Sequence, residues 1–242
     1  MISAVRLKLS LEYDGTRFRG WAVQPNLRTV EGVVREALDW VYSSYDNLVV
    51  AGRTDTGVHA LGQVASVDVE GGPPVKRAAE ALNTPLPDDV SVRAAEEVAA
   101  DFNARHSALA RSYRYRIWRR RTHSPFELHR SYWYPRPVDY QALADCADLL
   151  IGKHDFRAFT PVGTQHKTFT REVREAAWFE RGEALELEIT ANGFLRHMVR
   201  TLVGTMLEYS PEHLARLLQG AAREDAGRTS PAHGLYLERV EY

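Results

Sequence analysis

The clearest pattern near the start of the chain is an alternation of apolar and polar residues over positions 5–13. The apolar positions are Val5, Leu7, Leu9, Leu11 and Tyr13. This period of two predicts a half-buried β-strand. Between residues 30 and 41 the apolar residues recur with helical spacing instead, and Thr29 precedes them as a candidate N-cap. The chain therefore opens with a strand followed by a helix.

Further short elements complete the first half of the chain. Apolar runs predict strands near 48–51 and 62–69, a helix over 74–83, and a strand near 90–97. The order of these elements is β-α-β-β-α-β, which is the order of a ferredoxin-like unit.

The second half repeats this order approximately. The pattern predicts a strand at 111–118, a helix at 138–151, strands at 171–180 and 183–191, helices at 195–208 and 211–222, and a closing strand in GLYLERVEY. We therefore predict an α+β fold of two ferredoxin-like (RRM-like) halves, with antiparallel sheets joined around a central cleft. The predicted domains are 1–104 and 105–242.

Composition narrows the class of protein. The 242 residues are 44% hydrophobic and 26% charged, which is typical of a globular chain, and the net charge of −1 means that any nucleic-acid surface must be local. The only cysteine, Cys146, excludes an intramolecular disulfide and lies in a helical pattern that predicts a core position. The N-terminus lacks the apolar core of a signal peptide, and no apolar run approaches the ~18 residues of a membrane span. We expect a cytoplasmic protein without a membrane partner.

One short stretch, GRTDTGVH at 52–59, concentrates residues that can do chemistry. Its glycines have the spacing of a phosphate loop, but Val58 and His59 occupy the places where Lys and Ser or Thr are needed, which excludes that reading. A tight turn is one interpretation of the remaining residues. The other is a site in which Arg53 keeps the Asp55 carboxylate ionised, so that it can act as a nucleophile or a base.

A second stretch, RSYRYRIWRRR at 111–121, interleaves arginines with aromatic residues. Strand alternation places Arg114 and Arg116 on one face and the tyrosines on the other. Such a surface suits an RNA backbone with unpaired bases stacked beside it. For Tyr113 the alternation by itself favours a plain core aromatic over a base-stacking residue.

A third stretch, NGFLRHMVRTLVGTM at 192–206, predicts a helix with two arginines at the edge of its apolar arc. Arg196 and Arg200 stand four residues apart on the predicted helix. An arginine at this edge usually extends to solvent. The alternative is that Arg200 is partly buried and pairs with a carboxylate, for which Asp55 is the candidate.

Taken together, these three stretches resemble the motifs of the tRNA pseudouridine synthases of the TruA type. GRTDTGVHALGQV resembles the aspartate motif of that family, RSYRYRIW its tyrosine motif and GFLRHMVRTLVGTMLE its third motif. EYDGTRFRGWAVQ, DFNARHSA, GKHDFRAF and GLYL match in the expected order, so the resemblance covers nearly the whole chain. It implies that Asp55 is the catalytic carboxylate, that Tyr113 stacks on the base, and that Arg200 pairs with Asp55.

The resemblance also implies a reaction and its partners. The reaction is a cofactor-free isomerisation of uridine to pseudouridine in the anticodon stem-loop of tRNA, at positions 38 to 40, by a homodimer. No metal is needed, and the nine histidines of the chain lack metal-ligand spacing. The candidate RNA-binding residues are Arg53, Thr54, His59, Arg111, Arg114, Arg116 and Arg196.

Two rival functions are compatible with parts of the sequence. A non-catalytic RNA-binding module would explain the strand with basic and aromatic residues but would leave the GRTDTG motif without a function. A metal-dependent phosphohydrolase that uses Asp and His would need a bound ion. The sequence leaves both roles of Asp55, nucleophile and base, open.

Overall fold

The computed structural model describes residues 4–164 and 166–242, which form two compact units. The first unit extends to Leu109 and also includes Leu237–Tyr242; the second is Ala110–Tyr236. The boundary between the units lies close to the predicted domain boundary at 104/105, which itself stays a prediction.

The first unit has the β-α-β-β-α-β order expected from the sequence. Its elements are β1 (Val5–Tyr13), α1 (Val30–Val41), β2 (Ser44–Val50), β3 (His59–Glu70), α2 (Val75–Asn83) and β4 (Val90–Glu97). β1 pairs antiparallel with β3 on one side and β4 on the other, and β2 pairs antiparallel with β3. The resulting strand order, β4-β1-β3-β2, is ferredoxin-like, as predicted.

Local sequence explains why these elements form. Leu7, Leu9 and Leu11 of β1 are almost fully buried, so the alternation does mark the face of the strand that packs into the core. Helix α1 begins where the Thr29 side chain accepts a hydrogen bond from the backbone N–H of Gly32, 3.3 Å away. The predicted N-cap is therefore confirmed.

The second unit repeats this order with additions. Its elements are β5 (Ala110–Trp118), β6 (Tyr132–Trp133), α3 (Tyr140–Leu150), β7 (Gly152–Asp155), β8 (Thr170–Arg181), β9 (Ala184–Ala191), α4 (Met198–Glu208), α5 (Pro211–Leu217) and the beginning of β10 (Leu235–Glu241). β5 pairs antiparallel with β9, β9 with β8, and β8 with β7, whereas β6 is parallel to β5. β6 and β7 were not predicted, because two and four residues are too few to show a period.

Two predicted helices have different bounds in the structure. The helix predicted over 195–208 begins at Met198, because His197 has a left-handed φ of 61° and interrupts the helical backbone before it. Arg196 therefore lies outside the helix, and the predicted placement of Arg196 and Arg200 on one edge of the same helix is wrong. The helix predicted over 211–222 ends at Leu217, and Gly220 then takes a φ of 96°.

The last residues of the chain complete the first unit. The Tyr242 hydroxyl donates to the carbonyl of Ala104 over 2.8 Å, and its ring packs 4.9 Å from that of Phe102. The backbone N–H of Leu109 donates to the carbonyl of Glu241. These contacts surround a small cluster of Ala51, Val64 and Ala104, so the first unit is built from two separate stretches of chain.

Candidate active site

The loop that carries Asp55 connects β2 to β3 in the first unit. The backbone N–H of Val58 donates to the carbonyl of Asp55 over 3.1 Å, and Gly57 has a φ of 79°, so the chain turns sharply directly after the aspartate. Asp55 is half-buried, whereas Arg53 and Thr56 on either side are exposed. The loop is therefore a turn, as one interpretation of the sequence proposed, and it presents its carboxylate at the surface of the first unit.

A buried hydrogen-bond network holds this loop from beneath. The Thr54 hydroxyl lies 2.8 Å from the Tyr13 hydroxyl. The side-chain amide of Gln63 donates to the Tyr13 hydroxyl over 3.2 Å and to the carbonyl of Gly52 over 2.8 Å. Burial raises the pKa of Tyr13 to about 12, so its hydroxyl keeps its proton at neutral pH. Thr54, a predicted RNA contact, thus faces the interior.

A loop between β1 and α1 wraps around the same turn from outside. The backbone N–H of Trp21 donates to the carbonyl of Thr54 over 3.0 Å. Gly20 has a φ of 92°, and a Cβ there would lie 2.9 Å from that carbonyl, so only glycine fits without displacing the aspartate loop. The signal for this contact was present in EYDGTRFRGWAVQ, but spacing alone could not show what these glycines approach.

His59 also belongs to this support. It is only 3% exposed, and its Nδ1 accepts the backbone N–H of Gly15 over 3.0 Å. A Cβ on Gly15 would lie 2.0 Å from the carbonyl of Val58, so the two segments are in very close contact. The position of His59 suits a residue that fixes the loop more than one that reaches for RNA.

Tyr113 lies in β5 of the second unit, where the predicted alternation is confirmed. Tyr113, Tyr115 and Ile117 are buried, and the arginines between them are partly exposed. Tyr113 is 9% exposed, and its ring meets the ring of Phe194 edge-on, with the centroids 4.9 Å apart. The two rings form an apolar corner of the kind that can hold a planar base.

Arg200 lies in the first turn of α4 and is fixed by reciprocal backbone contacts. Its Nε donates to the carbonyl of Ser230 over 2.8 Å, and the backbone N–H of Ser230 donates to the carbonyl of Arg200 over 3.1 Å. Gly204 permits this approach, because a Cβ there would lie 1.8 Å from the carbonyl of Arg228. The guanidinium is therefore half-buried and oriented, not extended freely into solvent.

The basic face of β5 differs from the expected phosphate-binding surface. Arg114 donates to the buried carboxylate of Glu186 over 2.9 Å, and Arg116 binds the same carboxylate. Arg116 also donates to both carboxylate oxygens of Glu127. These ion pairs raise the pKa of Arg116 and lower that of Glu127. Arg114 and Arg116 thus each have a carboxylate partner, and their contact with RNA stays a prediction.

The remaining candidates in the second unit lie nearer the surface. Arg111 donates to the carbonyl of Asn192 over 3.1 Å, and Arg196 has an exposed side chain. The structure thus gathers Arg53, Thr54, Asp55 and His59 in the first unit, and Tyr113 and Arg200 with the other arginines in the second. The contact of Asp55 with Arg200 and Tyr113 stays a prediction.

Two general findings concern the part of the chain that the structure describes. Its His, Cys, Asp and Glu residues form no cluster of three or more that could hold a metal ion. Each of its helices is too short or too polar to cross a lipid bilayer.

Cys146 is buried, which confirms the predicted core position, and burial raises the pKa of its thiol to about 11.

Comparison with known proteins identifies the family. A family model described as tRNA pseudouridine synthase matches residues 10–107 and 146–242. These segments include Asp55 and Arg200. The chain belongs to the tRNA pseudouridine synthase family. It is therefore an enzyme of the isomerase class. Tyr113 lies between the two matched segments.

Full-length relatives support this assignment. A protein of Moorella thermoacetica named tRNA pseudouridine synthase A is 43% identical over 98% of this chain and 99% of its own length. Proteins of the same name from Bacillus licheniformis and Thermus thermophilus are 39% and 44% identical, each over 98% of this chain. The resemblance expected from the sequence motifs is thus confirmed over nearly the whole length.

Proposed function

We propose that this pseudouridine synthase isomerises uridines at positions 38 to 40 in the anticodon stem-loop of tRNA and that it acts as a homodimer. Asp55 is the catalytic carboxylate, Tyr113 stacks on the target base, and Arg200 pairs with Asp55. The substrate named for the relatives, tRNA, supports the first part of this proposal.

The observation that carries the assignment of Asp55 is the construction of its loop. The turn is held by buried groups on the inner side and by the backbone of Trp21 on the outer side, while the Asp55 side chain stays half-exposed. Preorganised placement of a reacting group removes the entropic cost of positioning it in the transition state. The support keeps the backbone that carries Asp55 in one place, as a reacting carboxylate requires.

Tyr113 and Phe194 supply what the detached base needs. During the reaction the uracil leaves C1′ through N1, rotates, and rejoins through C5. A ring in transit forms no bond to the sugar, so an apolar wall must keep it in place. The edge-on aromatic pair, with its centroids 4.9 Å apart, provides such a wall.

Arg200 is suited to hold a carboxylate in its charged form. Its Nε is bound to the carbonyl of Ser230, which fixes the plane of the guanidinium. An arginine held in this way can present its terminal nitrogens to Asp55 and favour the ionised carboxylate.

The RNA contacts that we propose follow from exposure and pairing. Arg53, Arg111 and Arg196 are partly or fully exposed and can contact phosphates. Thr54 and His59 support the loop, and Arg114 and Arg116 stabilise the β5–β9 pair. The target nucleotide must leave the stack to reach the carboxylate, and Arg53, an exposed residue two positions before Asp55 in the chain, is placed to assist.

The decisive experiment measures tritium release from unmodified tRNA that carries [5-³H]uridine. Formation of the C1′–C5 bond replaces the C5–H bond, so each turnover releases one tritium to water. We expect wild-type protein to release tritium and Asp55→Asn to release less than about 0.1% of that amount, because the amide can neither add to a carbon centre nor accept a proton.

The control variant is Asp39→Asn, which changes an exposed carboxylate on α1 and should leave the rate unaltered. Both variants should bind tRNA. Wild-type protein that binds tRNA tightly and releases no tritium would instead support the non-catalytic RNA-binding module. Full activity of Asp55→Asn would remove Asp55 from the mechanism.

A further inference from the structure

The loop 119–131, which connects β5 to β6, exposes large apolar side chains. Phe126 is 87% exposed and Leu128 is 55% exposed. Phe126 is the most exposed large apolar residue in the described part of the chain. A solitary exposed apolar residue needs no explanation by itself, so what matters at Phe126 is the backbone that holds it and the charge around it.

Backbone hydrogen bonds within the loop fix its path. The N–H of Glu127 donates to the carbonyl of Ser124 over 3.1 Å. The carbonyl of Glu127 in turn accepts from the N–H groups of Arg130 and Ser131, each over 3.0 Å. Ser124 and Ser131 are both buried. The residues on either side of Phe126 are thus anchored to the body of the second unit.

Side chains from two strands hold the loop as well. The Glu127 carboxylate accepts from Nε and Nη2 of Arg116 over 3.1 and 2.8 Å. The Tyr236 hydroxyl donates to the carbonyl of Arg130 over 2.6 Å. Because Phe126 directly precedes Glu127, these anchors direct its ring outward. A loop backbone already ordered in the free protein loses little conformational entropy when a partner binds.

The charge around Phe126 is positive. The exposed side chains of the loop include those of Arg121 and Arg130, and that of Arg120, which lies 3.6 Å from the Glu183 carboxylate. Glu127 is the only acidic residue between positions 119 and 131, and Arg116 neutralises it. In a chain with a net charge of −1, this loop is a local cationic surface.

We propose that Phe126 stacks on an unpaired nucleotide of the bound tRNA, with Arg121 at a neighbouring phosphate. This inference rests on the proposed function. Glu127, next to Phe126, binds the Arg116 side chain, and Arg116 projects from the face of β5 opposite to that of Tyr113. The nucleotide that Phe126 contacts is therefore not the target uridine, and the contact adds affinity without entering the chemistry. Arginine beside an aromatic ring is the combination that binds unpaired bases.

The experiment compares the Kd of unmodified tRNA transcript for Phe126→Ala and for Trp40→Ala. Trp40, an aromatic residue that is 67% exposed and adjacent to Asp39 on α1, is the matched control. We expect Phe126→Ala to weaken tRNA binding by about tenfold, the typical loss of one stacked base. Its kcat at saturating tRNA should equal that of wild type. Trp40→Ala should change neither quantity.

Two further substitutions separate stacking from general apolar contact. Phe126→Trp keeps a π face and should bind tRNA as wild type does, whereas Phe126→Leu keeps apolar area only and should be as weak as Phe126→Ala. Arg121→Gln should reduce the slope of log Kd against log salt concentration by the amount expected for roughly one lost phosphate contact.

Several outcomes would overturn the inference. Wild-type tRNA affinity in Phe126→Ala or in Phe126→Leu would each do so. A change in the oligomeric state of Phe126→Ala in solution would also do so, because it would mean that a second copy of the chain covers the ring. If wild-type protein forms no pseudouridine, the proposed function fails, but the tRNA-binding comparison still tests the role of Phe126.

Discussion

At the scale of single residues, the position of Asp55 depends on side chains far from it in sequence. The Gln63 amide donates both to the Tyr13 hydroxyl and to the carbonyl of Gly52. Tyr13 then contacts Thr54, which directly precedes Asp55. The side chains of Tyr13, Thr54 and Gln63 are buried, so leaving their polar groups without a partner would be costly. The network therefore restricts the backbone that carries the carboxylate.

Tyr13→Phe should lower kcat about tenfold and leave the KM for tRNA unchanged. The substitution leaves the Thr54 hydroxyl and one Gln63 N–H without their shared partner, which should also cost about 1–3 kcal/mol in the free energy of unfolding. Tyr42→Phe is the control, because the buried Tyr42 hydroxyl has no hydrogen-bond partner among the described residues. Steady-state kinetics and denaturant titration measure both effects. Equal losses in the two variants would contradict a positioning role for Tyr13.

At the scale of secondary-structure elements, the antiparallel pairing of β5 with β9 explains why Arg114 and Arg116 form ion pairs. In this register Arg114 lies opposite Glu188, and Arg116 opposite Glu186. The alternation of Glu186 and Glu188 with apolar residues was visible in the sequence and was the signal that these arginines have partners. Cross-strand pairs of opposite charge stabilise a sheet. Arg114 and Arg116, which the sequence suggested as RNA contacts, therefore also stabilise the sheet.

Glu186→Gln should lower the free energy of unfolding by roughly 2 to 4 kcal/mol, because it leaves the part-buried Arg114 and Arg116 guanidiniums without a compensating charge. Glu186 is only 3% exposed on its side chain. Glu188→Gln is the matched control: the Glu188 side chain is 44% exposed and pairs with Arg181, and its loss should cost less than about 1 kcal/mol. Urea denaturation distinguishes the two variants, and similar midpoints would show that Glu186 is not needed for charge balance.

At the scale of the whole molecule, stability at acid pH depends on carboxylates that are paired in the folded state. Asp89 accepts hydrogen bonds from both terminal nitrogens of Arg28, over 2.7 and 2.9 Å, and lies 3.3 Å from Nε of Arg17. The Arg28 hydrogen bonds hold the pKa of Asp89 below its ordinary value. The backbone of Asp89 also accepts from Asp14, so this pair braces the segment that wraps the aspartate loop.

Asp89→Asn should make the protein less stable at neutral pH but less sensitive to acid. Because the folded pKa of Asp89 lies below the unfolded one, its charge stabilises the fold above about pH 4. This contribution is lost as the pH falls through the folded pKa. The free energy of unfolding of wild type should therefore fall more steeply between pH 5 and pH 3 than that of Asp89→Asn. Parallel pH profiles from chemical denaturation would contradict this assignment.

The sequence by itself determined the local elements and the family. Alternation of apolar residues predicted β1 and β5, and helical spacing after Thr29 predicted α1, because the period of the side chains follows directly from backbone geometry. The order of these elements then predicted two ferredoxin-like halves. The motifs that resemble those of pseudouridine synthases could also be recognised from the sequence, because each of them is contiguous in the chain.

Only the tertiary structure decided which groups are partners. His59 is buried because Gly15 approaches Val58, α4 starts late because His197 is left-handed, and Arg114 and Arg116 meet Glu186 because of one strand register. Register and close approach join residues that are distant in sequence, and a local pattern carries no information about such distances. The sequence thus gives the chemistry of each side chain, and packing decides which of them are buried with partners and which are exposed.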